Sequence, residues 1–271
     1  IMDEAKKKLI QIFENNVKGK SPDTTGRNMK HDGKEGNWLE EQFGKTPDAD
    51  NHADFWGYEL KNQTTSKTTF GDWSANKYIF KTGEYVECFN NKQIGTPQDN
   101  FCSIFGKPNP KKDNRYSWSG SPCPKIDKFN DFGQKLIIDT NKDIVVIYSY
   151  SKDLRENKKN IIPLKLQKDN VELARWYGEI SPTTKKKDKC LKSKLEDKFN
   201  DKGWFTCKKD SNGKYCEICF GKPINYDNWL NLIKKGIVFF DSGMYQGNKR
   251  PYSQWRANNS FWNSLIIETY K

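Results

Sequence analysis

Asp54, Glu59 and Lys61 stand close together in the stretch NHADFWGYELKNQT, residues 51–64. Two carboxylates and an ammonium at this spacing suit hydrolysis assisted by a metal ion. Residues two apart on a strand face the same side, so Glu59 and Lys61 point together. A bend at Gly57 lets Asp54 approach from the preceding segment. Convergent carboxylates repel unless they are protonated or bridged by a cation. Oxygen donors of this kind select Mg2+, which keeps several waters and binds phosphate. Such an ion stabilises charge on a scissile phosphate and lowers the pKa of an attacking water, while Lys61 orients that water or neutralises the transition state. The pattern D-x4-E-x-K is short, and an ordinary solvated hairpin with a Glu/Lys face has it too.

The elements around these residues must do the positioning. Upstream, GNWLEEQFG (36–44) reads as a short helix with Trp38, Leu39 and Phe43 on one side. It brings in Glu40 as a third carboxylate, or Glu41 if the helix phase is shifted by one. Residues 3–17 carry apolar side chains at helical spacing, and a turn-rich loop follows to Gly36. Residues 53–61 read as extended chain bent at Gly57. From 62 to about 133 the sequence is polar, with scattered aromatics, and predicts loops with short strands; the insert 85–130 has no assignable role. Residues 134–150 predict a β-hairpin and 187–201 a helix. A second hairpin turns at Asn212-Gly213. A helix at 226–235, the strand GIVFFDSG and a final helix SFWNSLIIETY complete the chain. With neither repeat nor linker, the class is α+β with a mixed sheet.

The 271 residues carry a net charge of +12 and a pI near 9.2, which favours polyanionic partners, nucleic acid foremost. The 37 aromatics argue for a packed core rather than disorder. No apolar run is long enough for a membrane span, and no signal peptide is visible. Seven cysteines, an odd number, fit a reducing cytoplasm. Cys216-x2-Cys219, with Cys190 and Cys207, invites a zinc reading. Strand phase opposes it: Cys207 and Cys216 share a face with Phe205, Ile218 and Phe220, and Cys219 takes the other, so buried free thiols are expected. The only histidines, His31 and His52, supply no compact histidine-based nuclease motif.

A second informative stretch is DSGMYQGNKRPYSQWR (241–256). Tyr245, Asn248, Lys249, Arg250, Tyr252, Gln254 and Arg256 interleave charge, amide and ring. Arginine bonds guanine O6 and N7 in bidentate fashion, glutamine and asparagine do the same for adenine, and aromatics wedge against bases. A surface loop whose Trp255 plugs the core would look alike. Lys67, in the polar run after Lys61, is a candidate phosphate contact.

The whole pattern G-x-W-L-E … A-D-F-W-G-Y-E-L-K, over 36–61, resembles the PD-(D/E)XK nuclease core in its MutH-like branch. Within that branch it is most similar to restriction endonucleases of the MvaI/BcnI/LlaMI type. The resemblance implies a restriction-endonuclease-like mixed β-sheet core flanked by helices, with a catalytic lobe over about 1–175 and a recognition lobe over about 176–271. It implies Asp54 and Glu59 as metal ligands for Mg2+, Lys61 as the residue assisting the nucleophile, and Glu40 in support of the metal or the water. It further implies a type II enzyme cutting double-stranded DNA at a short palindrome and leaving 5′-phosphate ends. The expected enzyme is a cytoplasmic monomer with a companion DNA methyltransferase and no membrane partner. The alternatives are a MutH-like nicking enzyme of mismatch repair and a DNA-binding module with a dead acid cluster.

Overall fold

A computed structural model describes residues 2–26, 33–45, 51–63, 66–182, 184–187 and 189–271. In chain order the elements are α1 (Glu4–Ile12), α2 (Lys34–Gln42), β1 (Tyr58–Leu60), β2 (Lys67–Asp72), β3 (Lys77–Tyr78), α3 (Pro97–Phe105), β4 (Lys107–Asn109), β5 (Arg115–Trp118), β6 (Lys125–Ile126), β7 (Phe132–Ile138) and β8 (Ile144–Asp153). They continue with α4 (Lys158–Ile161), β9 (Val171–Trp176), α5 (Leu191–Phe199), β10 (Gly203–Lys209), β11 (Tyr215–Gly221), α6 (Tyr226–Lys234), β12 (Val238–Asp241), β13 (Met244–Tyr245), β14 (Gln254–Asn258), α7 (Asn259–Ser264) and β15 (Ile266–Tyr270). Among the described residues no helix is long and apolar enough to cross a membrane.

Two compact units share the chain. Unit 1 gathers Ile1–Thr68, Lys194–Asn228 and Ala257–Lys271, and unit 2 gathers Thr69–Ser193 and Trp229–Arg256. Both draw on segments either side of residue 175, so the compact units do not divide there. The reason is strand pairing: β1 lies parallel to β10, with Glu59 opposite Trp204, which joins the early chain to the late chain.

Unit 1 is built on a four-stranded sheet in the order β1-β10-β11-β15. The β10–β11 hairpin turns over Asp210–Lys214, with Gly213 at φ +76° as its Asn-Gly pair predicts. One face of the sheet carries Tyr58, Leu60, Phe205 and Phe220, and packs in one buried cluster with Leu9, Phe13 and Val17 and with Trp38, Leu39 and Phe43. The stripe Leu9, Phe13, Val17 repeats every four residues, which overshoots an α-turn of 3.6. The helix answers by widening into a π-turn over Phe13–Val17, and Val17 stays fully buried.

Two expectations are corrected here. The last helix ends at Ser264, and Ile266–Tyr270 becomes the edge strand β15, pairing Cys219 with Thr269. The run IIETY is rich in β-branched and aromatic residues, and the open side of β11 supplies the ladder. In the second hairpin the pairing slips between Lys208 and Lys209, so Tyr215 rather than Cys216 joins the core face with Cys207. A β-bulge of this kind sets Cys216 aside, half-buried. Cys219 pairs across from Thr206, on the opposite face from the core cluster, as the strand phase predicts.

Unit 2 holds a five-stranded sheet (β3-β9-β8-β7-β6) and two three-stranded sheets, β12-β14-β2 and β13-β5-β4. The hairpin predicted over 134–150 is β7–β8. The segment 62–133 is more ordered than a run of loops. Thr96 and Asp99 form a complete capping box, Pro97 opens α3, and Phe89, Phe101, Phe105 and Trp118 are fully buried. Trp118, Trp176, Phe240 and Trp255 meet edge-to-face or tilted at 5.1–5.5 Å between ring centroids. Trp255 therefore belongs to the core and not to the surface of its loop.

Candidate active site

The site begins with a tight reversal. Phe55 and Tyr58 exchange both backbone hydrogen bonds, each 2.9 Å, across Trp56 (φ +50°) and Gly57 (φ +92°). Two successive positive φ angles are the signature of a mirror-image hairpin turn, which only glycine enters freely. A Cβ on Gly57 would stand 2.1 Å from Asp201 Oδ2. The reversal carries Asp54 back alongside β1, where the Leu60 N–H donates to Asp54 Oδ2 at 3.0 Å. Glycine at 57 thus bends the chain as its place in the sequence suggests.

β1 then sorts its side chains by alternation. Tyr58 and Leu60 enter the core cluster. Glu59 and Lys61 point together, and Lys61 Nζ lies 2.8 Å from Glu59 Oε1. Glu59 is only 2% exposed. Lys198, on α5, reaches the same Oε1 at 3.0 Å, whereas Glu59 Oε2 is buried without a hydrogen-bond partner. Lys45, just beyond α2, donates to Asp54 Oδ1 at 2.7 Å. Neither Lys45 nor Lys198 carries any sequence signal that separates it from the many surface lysines.

The charges respond to one another. Burial alone would raise the Asp54 carboxyl, but the Lys45 ammonium, the Leu60 N–H, Lys198 and Lys61 outweigh it and hold Asp54 below the usual carboxylate range. Glu40, half-buried on α2, behaves in the opposite way. Burial, then the negative charge of Asp54 and Glu59, push its carboxyl up to about 7 against the opposing pull of Lys45 and Lys61. Glu41 is exposed. The structure therefore brings Glu40, Asp54, Glu59 and Lys61 into one electrostatic neighbourhood, with Glu40 poised between its two protonation states at neutral pH.

Residues 17–270 match the family model described as LlaMI restriction endonuclease. The chain belongs to the LlaMI restriction endonuclease family. It is 59% identical over 271 residues to the type II restriction enzyme ScrFI of Lactococcus lactis subsp. cremoris, covering 100% of both chains. Its fold is similar to that of the restriction endonuclease MvaI solved in complex with its cognate DNA substrate, at a TM-score of 0.59 and 17% identity, over 100% of this chain and 99% of that one. Type II restriction endonucleases generally use a divalent metal ion and act on DNA.

The residues of this LlaMI-family chain suit such an ion. Among the described residues no group of three or more His, Cys, Asp or Glu is placed to hold a metal. The pair Asp54 and Glu59 offers hard oxygen donors, with the remaining positions left to water and phosphate. Glu59 Oε2 is an acceptor lacking a donor, the kind of buried atom that calls for an explanation. All seven cysteines are free thiols. Burial raises the thiol of Cys207 well above its usual range, which marks it as an inert core residue.

The loop expected to read DNA lies in unit 2, and its residues fare unevenly. Lys249 is exposed. Arg250 is forked onto Asp72 at 2.9 and 3.2 Å and sits over the Tyr252 ring. Arg256 is half-buried, 3.5 Å from Asp241. Asn248 Oδ1 accepts from the Tyr245 N–H at 2.7 Å and so shapes the loop. Gln254 lies against Gly243. Lys67 is the first residue of β2 and is half-buried. His52 is exposed, while His31 and part of the loop before α2 lie outside the described residues.

Proposed function

We propose that unit 1 is the catalytic unit of a Mg2+-dependent enzyme that hydrolyses phosphodiester bonds in double-stranded DNA at a short palindromic site, and that unit 2 reads the DNA. Membership of the family makes the protein a type II restriction endonuclease, a site-specific deoxyribonuclease. The observation that carries the assignment of residues is the Asp54–Glu59–Lys61 arrangement, with Asp54 tied back to Leu60 and Lys61 paired to Glu59.

Asp54 and Glu59 would hold the metal. When bound, it supplies Lewis-acid polarisation of the scissile phosphate and a water of lowered pKa. The protein's own groups then act in sequence. Lys61, held by Glu59, presents its ammonium to the water and to the charge that builds on the phosphate. The water oxygen forms a bond to phosphorus as the bond from phosphorus to O3′ breaks, and the departing O3′ takes a proton from solvent, leaving a 5′-phosphate and a 3′-hydroxyl. Glu40, with a carboxyl near neutrality, can take the proton that the water gives up. Such an enzyme works in the cytoplasm, as a monomer, beside a methyltransferase that protects the host's own sites.

The test is a digest of unmethylated phage DNA with Mg2+, beside an EDTA control and the Lys61→Ala variant. Discrete fragments that vanish in both controls support the proposal, and sequencing their ends gives the site. Intact DNA with a mobility shift would point instead to binding without cleavage.

A further inference from the structure

Arginine usage in unit 2 singles out one residue that the sequence does not. Five arginines are described, and four are held by carboxylates: Arg155 by Asp153, Arg175 by Asp139, Asp143 and Glu172, Arg250 by Asp72, and Arg256 by Asp241. Arg115, on β5, is the exception among them. Its guanidinium carbon lies 3.4 Å from the centre of the Tyr245 ring. Its side chain makes no hydrogen bond or ion pair with another described residue, and its Nε is buried without an acceptor. A buried donor left without an acceptor costs the free protein stability.

The platform beneath Arg115 is fixed. Gln246 exchanges hydrogen bonds with Tyr116, accepting from its N–H at 2.9 Å and donating to its carbonyl at 3.0 Å. The Gly247 N–H donates to Asp99 Oδ1 at 2.7 Å, and Gln98 donates to the Asn248 carbonyl at 3.1 Å. Asp99 is the capping-box residue of α3, so the helix start and the loop around Tyr245 are fastened to each other. The insert 85–130 thereby acquires a role: it supplies both the arginine and the anchors of the loop on which it stacks.

From this we infer that Arg115 reads a guanine in the recognition site, offering its guanidinium to O6 and N7 while Tyr245 holds its plane. The inference rests on the reading of unit 2 as the part that reads DNA. A plane stacked on a ring and kept clear of carboxylates suits a flat, two-acceptor partner. A phosphate contact needs only a point charge, which a lysine provides. Tyr245 becomes a support for Arg115 instead of a direct base contact.

The experiment begins with the site defined by wild-type digestion. Duplexes are then made with each guanine of that site replaced in turn by 7-deazaguanine, which lacks the N7 acceptor, and binding is measured without metal. The expected result is one position where the replacement weakens wild-type binding roughly tenfold but leaves Arg115→Ala unaffected. Arg115→Ala also binds the unmodified site about ten- to a hundredfold more weakly, with little change on random duplex. Arg115→Lys, which keeps the charge and much of the packing, leaves random-duplex binding as in the wild type and does not restore sensitivity at that guanine. If Arg115→Ala weakens every duplex alike and lowers the salt slope by about one, Arg115 is a phosphate contact and the inference falls. It falls also if the variant responds to 7-deazaguanine at every position as the wild type does. Absence of discrete wild-type fragments would overturn the proposed function itself, before any variant is compared.

Discussion

Lys198 Nζ lies 3.0 Å from Glu59 Oε1, across 139 residues of sequence. Lys61 shares that oxygen at 2.8 Å. A carboxylate at 2% exposure needs such partners, because a buried unpaired charge is far costlier than a paired one. Lys198 is thus a positioning residue for Glu59, and the dication we propose for Asp54 and Glu59 would meet a carboxylate already oriented.

Lys198→Met keeps most of the unbranched apolar stem and removes the charge. In EDTA the variant should lose about 1–3 kcal/mol of stability, seen as a lower melting temperature. Added Mg2+ should raise its melting temperature more than that of the wild type, since the ion then replaces a lost counter-charge. Equal Mg2+ shifts for both proteins would show that Glu59 does not bind the ion.

Asp54→Ala and Lys61→Ala should each abolish cleavage while sequence-specific binding in the absence of metal stays within a few-fold of wild type. Cleavage by either variant at the wild-type rate would place the chemistry elsewhere in the chain.

Glu40 gives a pH dependence with a definite sign. Its carboxyl is raised from 4.5 to about 7, chiefly by burial, so the folded protein holds this proton more tightly than the unfolded chain does. The stability it contributes is fully present below pH 4.5 and is lost as pH rises through about 7. Glu40→Gln escapes that loss. In EDTA its advantage over wild type should grow across this range to about 1–2 kcal/mol, allowing for the partial exposure of the group, and level off above it. Denaturant titrations at pH 5, 6, 7 and 8 would reveal the trend, and a difference independent of pH would exclude it.

The reversal at residues 55–58 can be tested by geometry alone. Gly57→Ala must hold a Cβ at φ +92° and against Asp201, and should cost more than about 2 kcal/mol. Its cleavage rate should drop further than its stability explains, because Asp54 is aimed by this turn. Trp56→Asn, which suits a positive φ, should be tolerated. Wild-type cleavage by Gly57→Ala would show that Asp54 does not depend on the turn for its aim.

What could be read beforehand was local. Asp54, Glu59 and Lys61 lie close in sequence, and strand alternation with a glycine bend suffices to bring them together. The Asn212-Gly213 hairpin and the phase of Cys219 follow from the same short-range rules. Lys45 and Lys198 escaped because nothing local distinguishes a lysine that folds onto a carboxylate from one that faces water. α3 is masked although T-P-Q-D at 96–99 spells a capping box, since the polar residues around Phe101 and Phe105 blur the apolar period of a helix. Arg115 was invisible for a different reason: its distinction is the absence of a carboxylate neighbour, which only three dimensions reveal. β15 shows the remaining limit, where an apolar run long enough for a helix is divided by the demand of a neighbouring strand.

The threading of unit 1 through the beginning, middle and end of the chain has a consequence for biosynthesis. While the polypeptide emerges from the ribosome, Asp54 and Glu59 are made before β10 and Lys198, which follow only after more than a hundred further residues, and β15 comes later still. Pairings this distant form late and slowly. A chain broken off by a stalled ribosome or a protease therefore carries the acids without the scaffold that aims them. For an enzyme able to cut chromosomal DNA, an architecture that withholds its chemistry from incomplete copies is a built-in safeguard for the cell that makes it.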